Sequence, residues 1–240
     1  MAEALAARAT ALELMDTEQV PFAEFEECLR HLAAINRWTG AYRPTLRWLD
    51  RLVRERGATA AAAPLTVLDV GFGYGDMLRR IAAWARRRGV AVRLIGVDLN
   101  PWSAEAAARA TPAGLPIRWE VGDVFGWQPQ EPVDVVISAL FTHHLPDPDL
   151  VRFLRWMSRR ARCGWFVNDL HRHPLSYHTV RAAARLLPVN RMVRHDAPLS
   201  VARAFTRDDW RRLLAEAELP PGRLTVEWRF PFRYGVGWRR

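Results

Sequence analysis

Two hydrophobic rhythms divide the chain. Phe22, Phe25, Leu29, Leu32 and Ala33 recur at steps of three and four, which predicts an amphipathic helix running towards Trp38 and ended by Gly40. A second helix opens near Pro44, where proline suits the first turn, and carries Leu46, Leu49, Leu52 and Val53 on one face. After an alanine-rich stretch at 57–64 the rhythm changes to short apolar runs, as strands buried on both faces require. Such runs at 65–70, 91–97, 117–121, 133–138 and 164–167 alternate with helical patterns. Met77, Leu78, Ile81, Ala82 and Ala85 mark one helix, closed by Arg86, Arg87, Arg88 and Gly89. Another follows Asp147 and Pro148, read as its cap and first residue, with Leu150, Val151, Phe153, Leu154 and Met157 in period. Strand and helix in alternation predict an α/β fold with a parallel sheet. Beyond it, Tyr177, Val180, Ala183, Ala184 and Leu187 suggest a helix. Residues 194–199 read as a loop before a short helical stretch, and Thr206 with Asp209 caps a further helix. Runs at 224–230 and 232–238 close the chain as two antiparallel strands.

The first strand leads into Asp69-x-Gly71-x-Gly73-x-Gly75. Glycines here allow a tight turn and let a ligand lie against backbone, and the helix that follows aims free N–H groups at the turn. The spacing is not the Gly-x-Gly-x-x-Gly of dinucleotide sites, and the carboxylate at the strand's end repels a pyrophosphate and suits a cation. Asp98, ending the second strand, can accept both hydroxyls of a ribose. Asp123, after the third strand, is a turn residue or a ligand contact.

The glycine stretch resembles motif I of class I S-adenosylmethionine (SAM)-dependent methyltransferases, whose ligand is a sulfonium amino acid with an ammonium group and no phosphate. Asp98 and Asp123 stand at the family's spacing. The resemblance implies a Rossmann-like seven-stranded sheet, with an N-terminal helical cap at 1–60, a SAM-binding domain at 61–240 and a helical insertion after the fifth strand. That insertion, 175–204, sits where the family places substrate lids. It further implies cofactor contacts at Asp69, Gly71, Phe72, Gly73, Gly75, Asp98, Leu99 and Ala139, with Asp123 on the adenine amino group and Val124 against the ring. The run His143-His144-Leu145-Pro146-Asp147 is similar to that of quinone-biosynthesis and related small-molecule enzymes. It lacks the Asn/Asp-Pro-Pro-Tyr/Phe tetrapeptide of base-directed amino-methylases. The expected reaction is methyl transfer to a hydroxyl of a small phenolic or polyketide-like acceptor, with a histidine as general base. His144 comes first as that base, then His171, with His143 and Asp169 as further candidates. Methylation at carbon, an RNA substrate and cofactor binding without turnover are the alternatives.

No metal is expected. The chain lacks a carboxylate after the fourth strand, the Asn168-Asp169 pair inverts the order of metal-dependent catechol enzymes, and adjacent histidines on extended chain point apart. The net charge of +9 would ordinarily suggest a polyanion, but all 35 basic residues are arginine, which reads as compositional bias alongside the alanine richness. The absence of lysine removes Schiff-base chemistry. Cys28 and Cys163 have no framework or metal-ligand spacing and read as reduced thiols. Glu3, Arg8, Glu13 and Asp16 interrupt any leader-like apolar region, and no run approaches the ~20 residues of a membrane span. A cytoplasmic protein without a membrane span is the expectation.

Overall fold

The computed structural model describes residues 5–56 and 63–240, so most of the alanine-rich stretch expected to be a linker lies outside the described residues. A seven-stranded sheet runs in the order β3-β2-β1-β4-β5-β7-β6. Its strands are β1 (Leu65–Val70), β2 (Val92–Asp98), β3 (Ile117–Val121), β4 (Val135–Ala139), β5 (Gly164–Leu170), β6 (Arg223–Arg229) and β7 (Arg233–Arg239). All pairs from β3 to β5 are parallel, whereas β7 runs antiparallel to both β5 and β6. The strand order reverses between β1 and β4, and in such sheets ligands collect at the carboxyl ends beside that point.

Helices cover both faces. They are α1 (Leu14–Thr17), α2 (Phe22–Trp38), α3 (Arg43–Arg56), α4 (Asp76–Arg88), α5 (Pro101–Arg109), α6 (Asp147–Arg160), α7 (Pro174–Leu186), α8 (Arg191–Arg203) and α9 (Arg207–Ala217). On one face Leu68, Val136, Trp165, Val167 and Trp238 pack with α6 and α9 through Phe153, Leu154, Trp210 and Leu213. On the other, Val67, Val135, Ile137 and Phe166 pack with α3 and α4. Trp48 of α3 stacks on Phe166 at 5.4 Å, so α3 belongs to the sheet's own core. Gly237 makes room for it, since a Cβ there would lie 2.6 Å from the Trp48 ring. Helix α2 sits apart on α5 and α8, in a cluster of Phe25, Leu29, Ala106, Met192 and Val193.

Three local expectations are corrected. Residues 194–199 form the middle of α8 and not a loop; the Asn190 side chain accepts the Met192 N–H at 2.8 Å, and burial of Met192, Val193 and Val201 carries the helix through Pro198. Strand β5 continues to Leu170, so Asn168 and Asp169 lie inside it, held by the full register with β7. Helix α6 starts one residue early: Pro146 is the cap and Asp147 the first helical residue. Among the described residues no helix is long and apolar enough to cross a membrane.

The segment before α2 crosses the strand ends as a strap and is pinned by buried side chains. Arg172 donates to the Leu5 and Ala204 carbonyls at 3.0 and 2.8 Å. Asp196 of α8 accepts the Leu14 and Met15 N–H groups at 2.9 and 3.0 Å.

Candidate functional site

At the end of β1 the chain turns through Gly71 with φ +69°, and a Cβ there would lie 2.5 Å from the Phe141 ring. Gly71 is therefore required by conformation and by the packing of the β4 loop. Leu140, at φ +57°, supplies the bend that brings Phe141 over it, and its N–H donates to the Asn168 carbonyl at 3.0 Å. Gly73 faces Leu29 of α2 at 3.6 Å from a built Cβ, and Gly75 forms the cap of α4. The Phe72 side chain is buried against Trp119, ring centroids 4.8 Å apart, so it presents only backbone to the turn.

Asp69 is buried and its Oδ1 has no hydrogen-bond partner among the described residues. Burial first, then the charges of Asp76 and Asp98, push its carboxyl well above the usual range. A bound cation would favour the ionised carboxylate and offset these effects, which is the fit expected for an ammonium. Asp98 accepts the Gly73 N–H at 2.9 Å and the Asn100 N–H at 3.0 Å, and burial raises its pKa. Leu99 beside it is 73% exposed, an apolar surface at the mouth of the turn. Asp123 accepts the Phe125 N–H at 3.0 Å in a local turn with Val124 buried beneath it, and Ala139 ends β4.

The second half of the site is made of side chains. His143 is 3% exposed, and its Nδ1 lies 2.7 Å from Asp169 Oδ1. Asp169 Oδ2 accepts the Thr142 hydroxyl at 2.5 Å and the His143 N–H at 3.1 Å. Burial pushes the Asp169 carboxyl up, but the His143 charge and these hydrogen bonds outweigh it and hold the pKa at about 2. His144 Nδ1 lies 2.7 Å from Asp16 of the strap. Burial lowers the His144 pKa, yet the Asp16 bond and the charges of Glu13 and Asp16 prevail and raise it. The His144 charge also reaches Asp98, joining the two halves.

Glu13 stands 3.7 Å from His143 Nε2 and 3.8 Å from His144 Nε2 and accepts the Ser200 hydroxyl at 2.8 Å. One ligand atom from each of Glu13, His143 and His144 lies within 4.8 Å of the others, a spacing that could hold a metal ion. The expectation that the two histidines diverge fails because 142–144 is a 3-10 turn, which brings the rings to 4.4 Å. The buried arginines nearby are already engaged. Arg203 donates to the carbonyls of His143, Ala11 and His144, and Arg8 to those of Arg203, His143 and Leu145 and to Asp147.

His171 lies outside this cluster. Its Nδ1 accepts the Trp228 indole N–H at 3.2 Å, its ring meets Tyr234 at 4.8 Å, and burial together with His173 and Arg172 lowers its pKa to about 4. Asp169, which could have oriented His171, instead orients His143. Sequence reasoning missed Glu13 and Asp16, which lie at the one-turn helix α1 and carry no local signal. It also missed Thr142 and the buried Arg203 and Arg233.

Residues 67–164 match the family model described as a methyltransferase domain. The chain is 29% identical over 119 residues to a trans-aconitate 2-methyltransferase of Azoarcus sp. (strain BH72), covering 46% of this chain and 44% of that protein. It is 30% identical over 161 residues to the protein of that name from Mycobacterium sp. (strain KMS), covering 65% and 59%. The chain thus spans about half the length of these relatives. Among solved structures, human N-acetylserotonin methyltransferase in complex with SAM superposes with a TM-score of 0.63 at 16% identity, covering 91% of this chain and 56% of that one, a likeness of fold.

Proposed function

Since residues 67–164 belong to the methyltransferase-domain family and the seven-stranded sheet is the class I SAM-dependent methyltransferase fold, we propose that this chain methylates a hydroxyl of a small apolar, phenolic or polyketide-like acceptor. One observation carries the cofactor half: the buried carboxylate of Asp69, whose Oδ1 has no partner among the described residues, behind a glycine turn at the strand reversal. Bound SAM would supply a methyl group made electrophilic by its sulfonium.

The chain's own residues then have separable tasks. Gly71, Gly73 and Gly75, with the Phe72 backbone, admit the ligand to the main chain, and Asp69 balances its positive charge. Asp98 and Leu99 serve the ribose and one side of the base, with Asp123 and Val124 at its far edge and Ala139 along the side. His143 Nε2 takes the acceptor proton while Asp169 holds Nδ1–H, fixing the tautomer that leaves Nε2 free to accept. For a phenol of pKa ~10 such a base contributes typically ~10²–10⁴-fold, and alignment of the reactants supplies ~7–11 kcal/mol. His144, held towards its charged form by Asp16 and Glu13, is the weaker candidate. A phenolic oxygen needs no stronger base than histidine, which favours oxygen over carbon.

An acceptor oxygen at His143 Nε2 would lie beside Glu13, while Arg8 and Arg203 are engaged by carbonyls. That environment favours a neutral hydroxyl over a carboxylate as the methylated group. Residues 175–204 and the strap would cover the acceptor, with α2, whose Leu29 lies against Gly73, closing over the cofactor. Isothermal titration with S-adenosylhomocysteine, with NAD as comparison, tests the cofactor. Micromolar binding of the first alone is expected, followed by methyl transfer to phenolic acceptors. Binding of NAD alone, or of neither, would overturn the proposal.

A further inference from the structure

Polar atoms buried without a partner cost free energy unless a ligand or water answers them. Beside the glycine turn three such side chains occupy one face of the sheet: Oδ1 of Asp69, Oδ1 of Asn168, and Nε and Nη1 of Arg233 lack partners among the described residues. The register puts them together. Asp69 pairs with Ile137 and Ile137 with Phe166, while Asn168 lies two residues beyond Phe166 and therefore on the same face. Arg233 pairs with Leu170, two residues further again, so it too projects from that face, at the end of the sheet where β1, β4 and β5 finish.

Arg233 is 5% exposed, a cation whose one hydrogen bond among the described residues is long, 3.4 Å from Nη2 to the Thr39 hydroxyl. Burial lowers its pKa to about 10 against the charges of Asp169 and Tyr42, which raise it. Tyr42 donates to Asp76, the first residue of α4, at 2.5 Å. Asn168 donates its Nδ2 to the Ala41 carbonyl at 2.6 Å, and its oxygen is left without a partner among the described residues. From β1 to β7 is three strand spacings, roughly 14 Å, so a long arginine side chain reaching along the sheet and a short aspartate face each other across β4 and β5.

We propose that Arg233 forms a carboxylate-binding subsite, with Asp69 across the sheet and Asn168 between them as acceptors for a positive group. A carboxylate on β1 and a guanidinium on β7, with the Asn168 oxygen on β5 between them, match an α-amino acid zwitterion. Guanidinium and carboxylate fit as a bidentate pair. The carboxylate belongs either to the amino-acid part of the cofactor, an assignment that rests on the function proposed above, or to a carboxylated acceptor.

The test is Arg233→Met, which keeps the length and removes the charge. S-adenosylhomocysteine has the amino-acid group, and methylthioadenosine keeps the nucleoside and thioether without it. The expected result is a loss of about tenfold to a hundredfold in affinity for the first with the second unchanged. In the absence of ligand the variant should melt at a higher temperature than wild type, because an unpaired buried charge has been replaced by an apolar chain. Unchanged affinity for S-adenosylhomocysteine, with weakened binding of 4-hydroxybenzoate but not of phenol, would place the carboxylate on the acceptor. Equal binding of every probe by variant and wild type overturns the subsite, as does a fall in melting temperature with equal losses for both nucleosides, the mark of a structural role. Wild-type protein that binds neither nucleoside overturns the cofactor assignment instead, and the subsite is then judged on 4-hydroxybenzoate.

Discussion

The two halves of the site are built in opposite ways. The turn between β1 and α4 is assembled from backbone, three glycines and one carboxylate per strand end, within a short span of sequence. The cluster around His143 is assembled from side chains that begin far apart: Glu13 and Asp16 from the strap, His143 and His144 after β4, Asp169 in β5, Ser200 and Arg203 in α8. A backbone cradle suits a ligand of fixed shape, because its geometry follows from φ, ψ and the strand ends. A side-chain cluster suits chemistry that must be tuned, because each member's protonation depends on the others. Changes in the first half should alter cofactor affinity, and changes in the second should alter turnover or the docking of the strap.

The sharpest way to break this division is His143→Ala, expected to lower turnover by ~10²–10⁴-fold with S-adenosylhomocysteine affinity nearly unchanged. Titration and steady-state rates on the same preparation measure both, and a parallel loss of affinity would erase the distinction. Asp169→Ala leaves the Thr142 hydroxyl and the His143 and Leu170 N–H groups without their shared acceptor. Thermal or denaturant unfolding should show a loss of ~3–5 kcal/mol, with turnover falling alongside. Gly71→Ala forces a left-handed alanine against Phe141, a strain of ~1–3 kcal/mol before the clash is counted, and should weaken cofactor binding while sparing the His143–Asp169 pair. Asp98→Ala should reduce S-adenosylhomocysteine affinity with the fold retained; an unchanged dissociation constant would remove Asp98 from the ribose role.

The smallest effect is on pH. The Asp16–His144 pair holds the strap, and its two shifts have opposite windows. His144 has a raised pKa, so its contribution is fully present below the ordinary histidine value and is lost as pH rises through the raised one. Asp16 has a lowered pKa: burial raises it, but the His144 bond and charge prevail. Its contribution is therefore present above the ordinary carboxylate value and lost as pH falls through the lowered one. Amide exchange of the N–H groups of Leu14 and Met15 should therefore be slowest at mildly acidic pH and quicken on the alkaline side by more than the intrinsic rate. Exchange that follows the intrinsic rate alone would show that the strap is held by Asp196 and the arginines.

By itself the sequence determined the sheet, the glycine turn and the carboxylates at the ends of β1, β2 and β3. Apolar runs, glycine spacing and strand-end acids are local properties, and the parallel α/β arrangement converts position along a strand into position in space. Only the tertiary structure decided which histidine meets which acid. The run His143-His144 was legible as a candidate, but which member is buried on Asp169 depends on the 3-10 turn at 142–144 and on the strap above it. His171, one residue beyond the end of β5, was drawn away by Trp228 and Tyr234 of the closing hairpin. Residues 194–199 carried a proline and a histidine–aspartate pair that read as a loop, and burial of α8 against α2 and α7 overrode that preference. Glu13 and Arg233 lie near opposite ends of the chain, and neither shows its role in its neighbours. Each is fixed by what surrounds it once buried, because the cost of burying a charge is set by partners that the fold brings from elsewhere.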